Sequence, residues 1–308
     1  MPRALITGAT GLLGRAVLSA FQDAGYEATG TGFSRASDKI LKLDIRDKQA
    51  VDKVFDEVKP EVVVHCAADR QPDSCTQHPD AARLLNVTAT EHLAQACASH
   101  GALLIYISTD YVFPGVEGES PYTVSSTPKP TNIYGQTKLD GERVVQKYPR
   151  TTSLRVPVLY GTTVPEDNNA ESAVNILLDA LWRSQKDKQP AETVKMDDWA
   201  VRTPTNTADV ARVCVDIAGH DGPVPQILQF SSDDRMTKYE MCRIFAEIMD
   251  LPFDGIVPVK DGGKPGPDGT LRPKDCHMDT DELRKLGVSV ETVDFVAWWR
   301  KKLGAYRH

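Results

Sequence analysis

No apolar run in this 308-residue chain approaches the roughly 20 residues needed to cross a bilayer. No cluster of basic residues is interleaved with aromatics, and the formal net charge is −7. Both features argue against nucleic acid and against a membrane surface as partners. None of the six cysteines (Cys66, Cys75, Cys97, Cys214, Cys242 and Cys276) forms a CxxC pair or clusters with histidine at metal-ligand spacing. That excludes the usual zinc and dithiol motifs; no metal is expected. Buried free thiols of a reducing compartment are expected instead. An apolar strand pattern already begins at Ala4, which leaves no room for a signal peptide. A cytoplasmic location follows as the expectation. There is neither an internal repeat nor a low-complexity tract. With 41% hydrophobic and 26% charged residues, the chain has the composition of a globular protein. Its length allows a large core and a split into two lobes.

What is present is organised around Ala4-Leu5-Ile6-Thr7-Gly8-Ala9-Thr10-Gly11-Leu12-Leu13-Gly14. An apolar run is followed by three glycines at three-residue spacing and then by an amphipathic segment, 15–24. That order predicts buried strand, tight turn and helix. Gly8 allows the sharp exit from the strand, and Gly11 lets a pyrophosphate approach bare main chain. Gly14 lets the helix pack close to the sheet. Thr10, Leu12 and Leu13 complete a turn whose free N–H groups and helix dipole favour phosphate.

Strand patterns recur at 4–7, 28–33, 61–65, 103–108 and 153–156, separated by helical patterns at 15–24, 48–58, 80–100 and 134–147. The alternation predicts an α/β fold, a Rossmann-type doubly wound parallel sheet with helices on both faces. Ligands then bind beyond the carboxyl ends of the strands. The periodicity weakens after residue 160. A nucleotide-binding unit is therefore placed at 1–160. A smaller mixed C-terminal lobe on the substrate side is placed at 161–308, with some of its elements returning to the first unit.

After the second strand come Phe33, Ser34 and Arg35. A small polar and a cationic residue there suit the 2′-phosphate of NADP better than the ribose hydroxyls of NAD. Asp44 with Ile45 suits an adenine edge, although a loop or cap role fits Asp44 as well. Cys66, Ala67 and Ala68 are small enough to lie against a cofactor, or against a closely packed helix. Arg70 follows them in the candidate cofactor set. His65 continues an apolar strand and reads as a satisfied core histidine. At the next strand end stand Ser108, Thr109, Asp110 and Tyr111. Tyr134 and Lys138, four apart at a helix start, share a face. An ammonium near a phenol stabilises phenolate and makes the phenol a better acid. Trp298 and Trp299 read as core or interface anchors.

Together these residues resemble the extended short-chain dehydrogenase/reductases, through TGxxGxxG at Thr7–Gly14 and YxxxK at Tyr134–Lys138. The run from Ser108 to Phe113, and Arg272-Pro273 ahead of Asp279-Thr280-Asp281-Glu282-Leu283, are similar to the dTDP-4-dehydrorhamnose reductase branch. Within that branch the chain is most similar to the regulatory beta subunits of methionine adenosyltransferase. That similarity rests on the runs from Gly11 to Val17 and Met236 to Met241, and on Met196-Asp197 with Trp199, Arg202, Pro204 and Thr205. The branch usually carries Asp-Gln and then Gly where this chain has Trp199-Ala200 and Arg202, a departure that weakens a sugar-nucleotide pocket.

The resemblance implies NADP(H) as cofactor, with Tyr134 and Lys138 also touching it. It implies a catalytic set in which Tyr134 gives a proton and Thr109 holds a carbonyl oxygen. Lys138 then holds the nicotinamide ribose. It also implies a regulatory partner, the adenosyltransferase catalytic subunit, docked through a C-terminal tail at 304–308. The alternative is an NADPH-dependent 4-keto sugar-nucleotide reductase, for which a sugar nucleotide is the partner.

Overall fold

The computed structural model describes residues 1–35, 39–165, 168–185, 193–266 and 269–304. The first half runs β1 (Arg3–Thr7), α1 (Leu12–Asp23), β2 (Glu27–Gly32), β3 (Ile40–Lys42), α2 (Lys48–Val58), β4 (Val62–His65), α3 (Pro72–Gln77), α4 (Pro79–Arg83), α5 (Ala89–His100), β5 (Leu103–Thr109), α6 (Ile133–Val145) and β6 (Thr151–Val156). The second half runs β7 (Leu159–Tyr160), α7 (Ile176–Arg183), β8 (Val194–Asp197), β9 (Thr205–Asn206), α8 (Thr207–Ala218), β10 (Ile227–Gln229), α9 (Lys238–Met249), β11 (Ile256–Val259), α10 (Asp281–Lys285) and α11 (Phe295–Lys302).

Among the described residues the main sheet has seven strands in the order β10-β6-β5-β4-β1-β2-β3, every pair parallel. Strand order reverses between β1 and β4, the switch point at which such sheets open a ligand crevice. Both faces of the sheet are covered. Ala4 and Ile6 of β1 pack in a cluster with α1 and α8 residues such as Val17, Phe21 and Val213. Leu5, one residue away and so on the opposite face, packs with Phe55 of α2 and Leu93 of α5. A third core joins Tyr160, Leu181, Met196, Phe245 and Trp299. Trp299 is fully buried there, its ring 4.6 Å from that of Phe245, and Trp298 packs against the same cluster. β10 takes residues 227–229 back into the main sheet beside β6.

Local differences from the sequence pattern have local causes. The run 80–100 is not one helix, because a π-helical turn at Leu84–Thr88 separates α4 from α5 and holds Asn86 buried. α7 begins at Ile176, and ahead of it the Ser172 hydroxyl accepts the N–H groups of Val174 and Asn175 in a capping turn. α11 starts at Phe295, where the Asp294 carboxylate accepts from Ala297 N. α3, headed by Pro72 at its first position, and β11, which pairs with β8, carried too short a pattern to be expected. All six cysteines are free, and all but the partly exposed Cys66 are buried. No helix among the described residues is long and apolar enough to cross a membrane.

Candidate cofactor and active site

β1 ends in a turn shaped by its glycines. Gly8 sits at φ +66°, and a Cβ on it would lie 2.8 Å from the Ala67 main-chain nitrogen. A Cβ on Gly14 would stand 2.1 Å from the Gly8 carbonyl oxygen, so α1 closes onto the strand only through a glycine. At Gly11 a Cβ would come within 3.3 Å of the Gly8 oxygen, a tight approach to main chain. α1 begins without a side-chain cap, as α3, α4, α5, α7 and α10 also do. Its first N–H groups are thus free to receive an anion. This cradle fits a dinucleotide pyrophosphate. Cys66, Ala67 and Ala68 flank it at the end of β4, where Ala67 N donates to Thr7 Oγ1 at 3.4 Å.

At the end of β2, Phe33 is 53% exposed, with the Arg46 guanidinium 5.1 Å from its ring centre. Arg46 also donates twice to Asp44, at 2.8 Å each. These bonds hold the Asp44 carboxyl below its ordinary value, and Ile45 is buried beside it. Ser34 and Arg35 follow Phe33. The Arg35 guanidinium reaches a residue that sequence reasoning missed, donating from Nη1 to Glu171 Oε1 at 2.6 Å.

The strand-end hydroxyls and the YxxxK pair meet. Thr109, 5% exposed, donates to Asp110 Oδ1 at 3.0 Å and accepts from Tyr111 N at 3.2 Å. α6 can approach this turn because residue 135 is glycine: a Cβ there would lie 2.2 Å from the Tyr111 carbonyl oxygen. Burial pushes the Tyr134 phenol well above its ordinary pKa, and hydrogen bonding with Thr109 pulls the other way. Asp110, Cys75 and Tyr111 raise it further. Lys138 Nζ sits 4.0 Å from the Tyr106 ring centre. Burial pushes that ammonium down to about 7, resisted by Glu142, Cys66 and Cys75.

His65 is a satisfied core residue. Nδ1 pairs with Thr7 Oγ1 at 2.7 Å and Nε2 with Thr90 Oγ1 at 3.1 Å. Because Thr90 donates to the Asn86 carbonyl, it accepts from Nε2–H, and burial with the nearby Lys138 charge holds the ring neutral, its pKa down to about 3. Asn86 continues the chain of bonds, donating to the Asp69 carbonyl and Thr137 Oγ1 at 3.0 Å each. Thr137 Oγ1 in turn donates to the Tyr134 carbonyl at 2.9 Å. A buried network thus links the glycine-turn strand to the helix that carries Tyr134. Its one sequence signal was polarity inside the 80–100 helical pattern.

On the far side, Arg202 is 6% exposed, 5.6 Å from the Tyr111 ring centre, and donates to the Val201 and Pro273 carbonyls. Trp199 is covered by residues 262–263, where a Cβ on Gly262 would fall 2.1 Å from its ring. Of the two departures noted in the sequence, Arg202 faces Asp110 and Tyr111, and Trp199 packs under the 262–263 turn.

The fold is that of the reductase-like Rossmann proteins. Residues 2–306 match the family described as RmlD substrate binding domain, and the chain belongs to that family. It is 42% identical over 294 residues to methionine adenosyltransferase 2 subunit beta of Rattus norvegicus, covering 94% of this chain and 84% of that one. It is 36% identical over 212 residues to dTDP-4-dehydrorhamnose reductase of Streptomyces griseus, covering 68% and 63%. Among solved structures, dTDP-4-dehydrorhamnose reductase of Bacillus anthracis in complex with NADP superposes with a TM-score of 0.79 at 24% identity, covering 98% of this chain and 96% of that one.

Proposed function

We propose that this protein is an NADP(H)-binding regulatory subunit of a cytoplasmic methionine adenosyltransferase, built on a reductase scaffold. The observation that carries it is the likeness to the adenosyltransferase beta subunits over nearly the whole chain. The uncapped α1 cradle supports the cofactor part. Residues 1–160 hold the cofactor, and 161–308 mainly wall the substrate side. Gly8, Thr10, Gly11, Leu12, Leu13 and Gly14 hold the pyrophosphate, and Phe33, Ser34, Arg35, Asp44 and Ile45 the adenosine end. Cys66, Ala67, Ala68, Arg70, Tyr134 and Lys138 line the remainder.

NADPH, when bound, supplies a hydride. In this reading Thr109 hydrogen-bonds a carbonyl oxygen and Tyr134 gives it a proton. The same two residues support the second reading, a 4-keto sugar-nucleotide reductase, against which the buried Arg202 and the covered Trp199 weigh.

Two measurements test this. Titration with an adenosyltransferase catalytic subunit should give a complex, and deletion of 304–308 should weaken it. Residues 305–308 of that tail lie outside the described residues. No complex with the full chain, together with NADPH oxidation on a dTDP-4-keto sugar, would favour the reductase. Separately, Arg35→Ala should weaken NADPH about tenfold or more, since a charge-assisted contact is lost, while NADH changes little. Equal losses would remove the 2′-phosphate assignment.

A further inference from the structure

Arg15 on α1 and Arg35 beyond β2 are brought to one point by a residue remote from both in sequence. Glu171 lies in a 3-10 turn, Asn169–Glu171, that follows β7. Its side chain is only 8% exposed. Arg15 donates from Nη2 to Oε2 at 2.5 Å and from Nη1 to Oε1 at 3.2 Å, a bidentate pair. Arg35 adds its 2.6 Å bond to Oε1, and the Val164 N–H also donates to the carboxylate. Arg15 is fixed in turn by a 2.6 Å bond to the Thr10 carbonyl, inside the glycine turn. Burial alone would raise the Glu171 carboxyl, but the two guanidinium groups outweigh it and hold the acid below its ordinary value. A carboxylate thus occupies an anion site built from the cofactor cradle's own cations.

We propose that Glu171 is an internal competitor for the 2′-phosphate of NADP(H), and so the residue that sets how strongly this site prefers NADP(H) over NAD(H). This rests on the cofactor reading above. The chemistry is one of acceptors and charge. Both terminal nitrogens of Arg15 and one of Arg35 already face the carboxylate. A dianionic phosphate needs those same donors, and two acceptor anions cannot share them without repulsion. Two guanidinium charges against one carboxylate leave +1. Adding a phosphate of about −2 leaves roughly −1 if Glu171 stays and roughly zero if it withdraws. Phosphate binding therefore favours withdrawal of the turn at 169–171, whereas a ribose hydroxyl can donate to Glu171 and leave it in place.

Glu171→Gln tests this, because it keeps the shape and removes the charge. The probes are NADPH, NADH and 2′,5′-ADP, titrated calorimetrically against the full chain. Glu171→Gln should bind NADPH and 2′,5′-ADP about ten- to a hundredfold more tightly than the wild type, the scale of one charge-assisted pair. NADH should be unchanged or weaker, and its binding also shows that the turn is intact. Glu171→Ala should move NADPH in the same direction. Unchanged or weaker NADPH binding in both variants, with Arg35→Ala still losing NADPH selectively, would overturn the competitor and leave the cofactor site standing. A wild-type chain that binds none of the three ligands would bring down the cofactor reading itself, before any variant is compared.

Discussion

Arg155→Leu should cost about 3–5 kcal/mol of stability, the usual penalty for stranding a buried charge. Arg155 is 3% exposed and its partner Glu142 1%. Nε and Nη2 donate to the two carboxylate oxygens at 2.9 and 2.8 Å, and Ser108 Oγ donates to the same carboxylate at 2.5 Å. Nη1 reaches Gln229 Oε1 at 3.2 Å, and Gln229 bonds the Tyr122 carbonyl. One guanidinium therefore ties α6 to β5, β6 and β10. In the variant, Glu142 would keep only Ser108 as a direct donor. Thermal and denaturant unfolding would measure the loss. The double variant Glu142→Leu/Arg155→Leu should recover part of it, because neither member of the pair is then stranded, while Lys138 loses counter-charge. A single variant as stable as the wild type would mean that water reaches Glu142.

The same pair shows what a sequence can and cannot disclose. The glycine turn was legible because glycine spacing reports main-chain geometry directly: residues 8, 11 and 14 each answer to a backbone approach seen in the fold. Tyr134 and Lys138 were legible as neighbours because helical spacing fixes a shared face. What that spacing did not tell was where each head group turns: one goes to Thr109 and the other to the Tyr106 ring. Arg155 carried a signal that went unused, since a charge inside the strand pattern 153–156 needs a buried partner. Glu171 carried none, because it stands 136 residues from Arg35 and only the return of the chain across the sheet edge joins them. Asn86 was hidden for another reason. A π turn closes i→i+5 bonds and so shifts the phase of the helix within it, and a 3.6-residue pattern does not report which side chain it turns inward.

Lys138→Met should stabilise the protein near pH 7 and remove a pH dependence. The wild-type ammonium is 3% exposed, and burial lowers its pKa from 10.5 to about 7. Between those values the unfolded chain carries the proton and the folded chain does not. Stability therefore rises with pH in that window, by up to about 1.4 kcal/mol per unit, and is least below pH 7 where the folded chain must hold the charge. Methionine titrates nowhere and fills a similar volume, so the variant should show a flatter curve and the two should converge toward pH 10. Taking the difference between them cancels the cysteines and tyrosines, whose pKa values burial also moves. Glu142 is the main group resisting the shift, so Glu142→Gln should extend the rise below pH 7 by leaving Lys138 with less counter-charge. Parallel curves for wild type and Lys138→Met from pH 7 to 10 would mean that the ammonium keeps its water in the folded protein. It would then carry a full charge, and so be ready for a ribose, at any physiological pH.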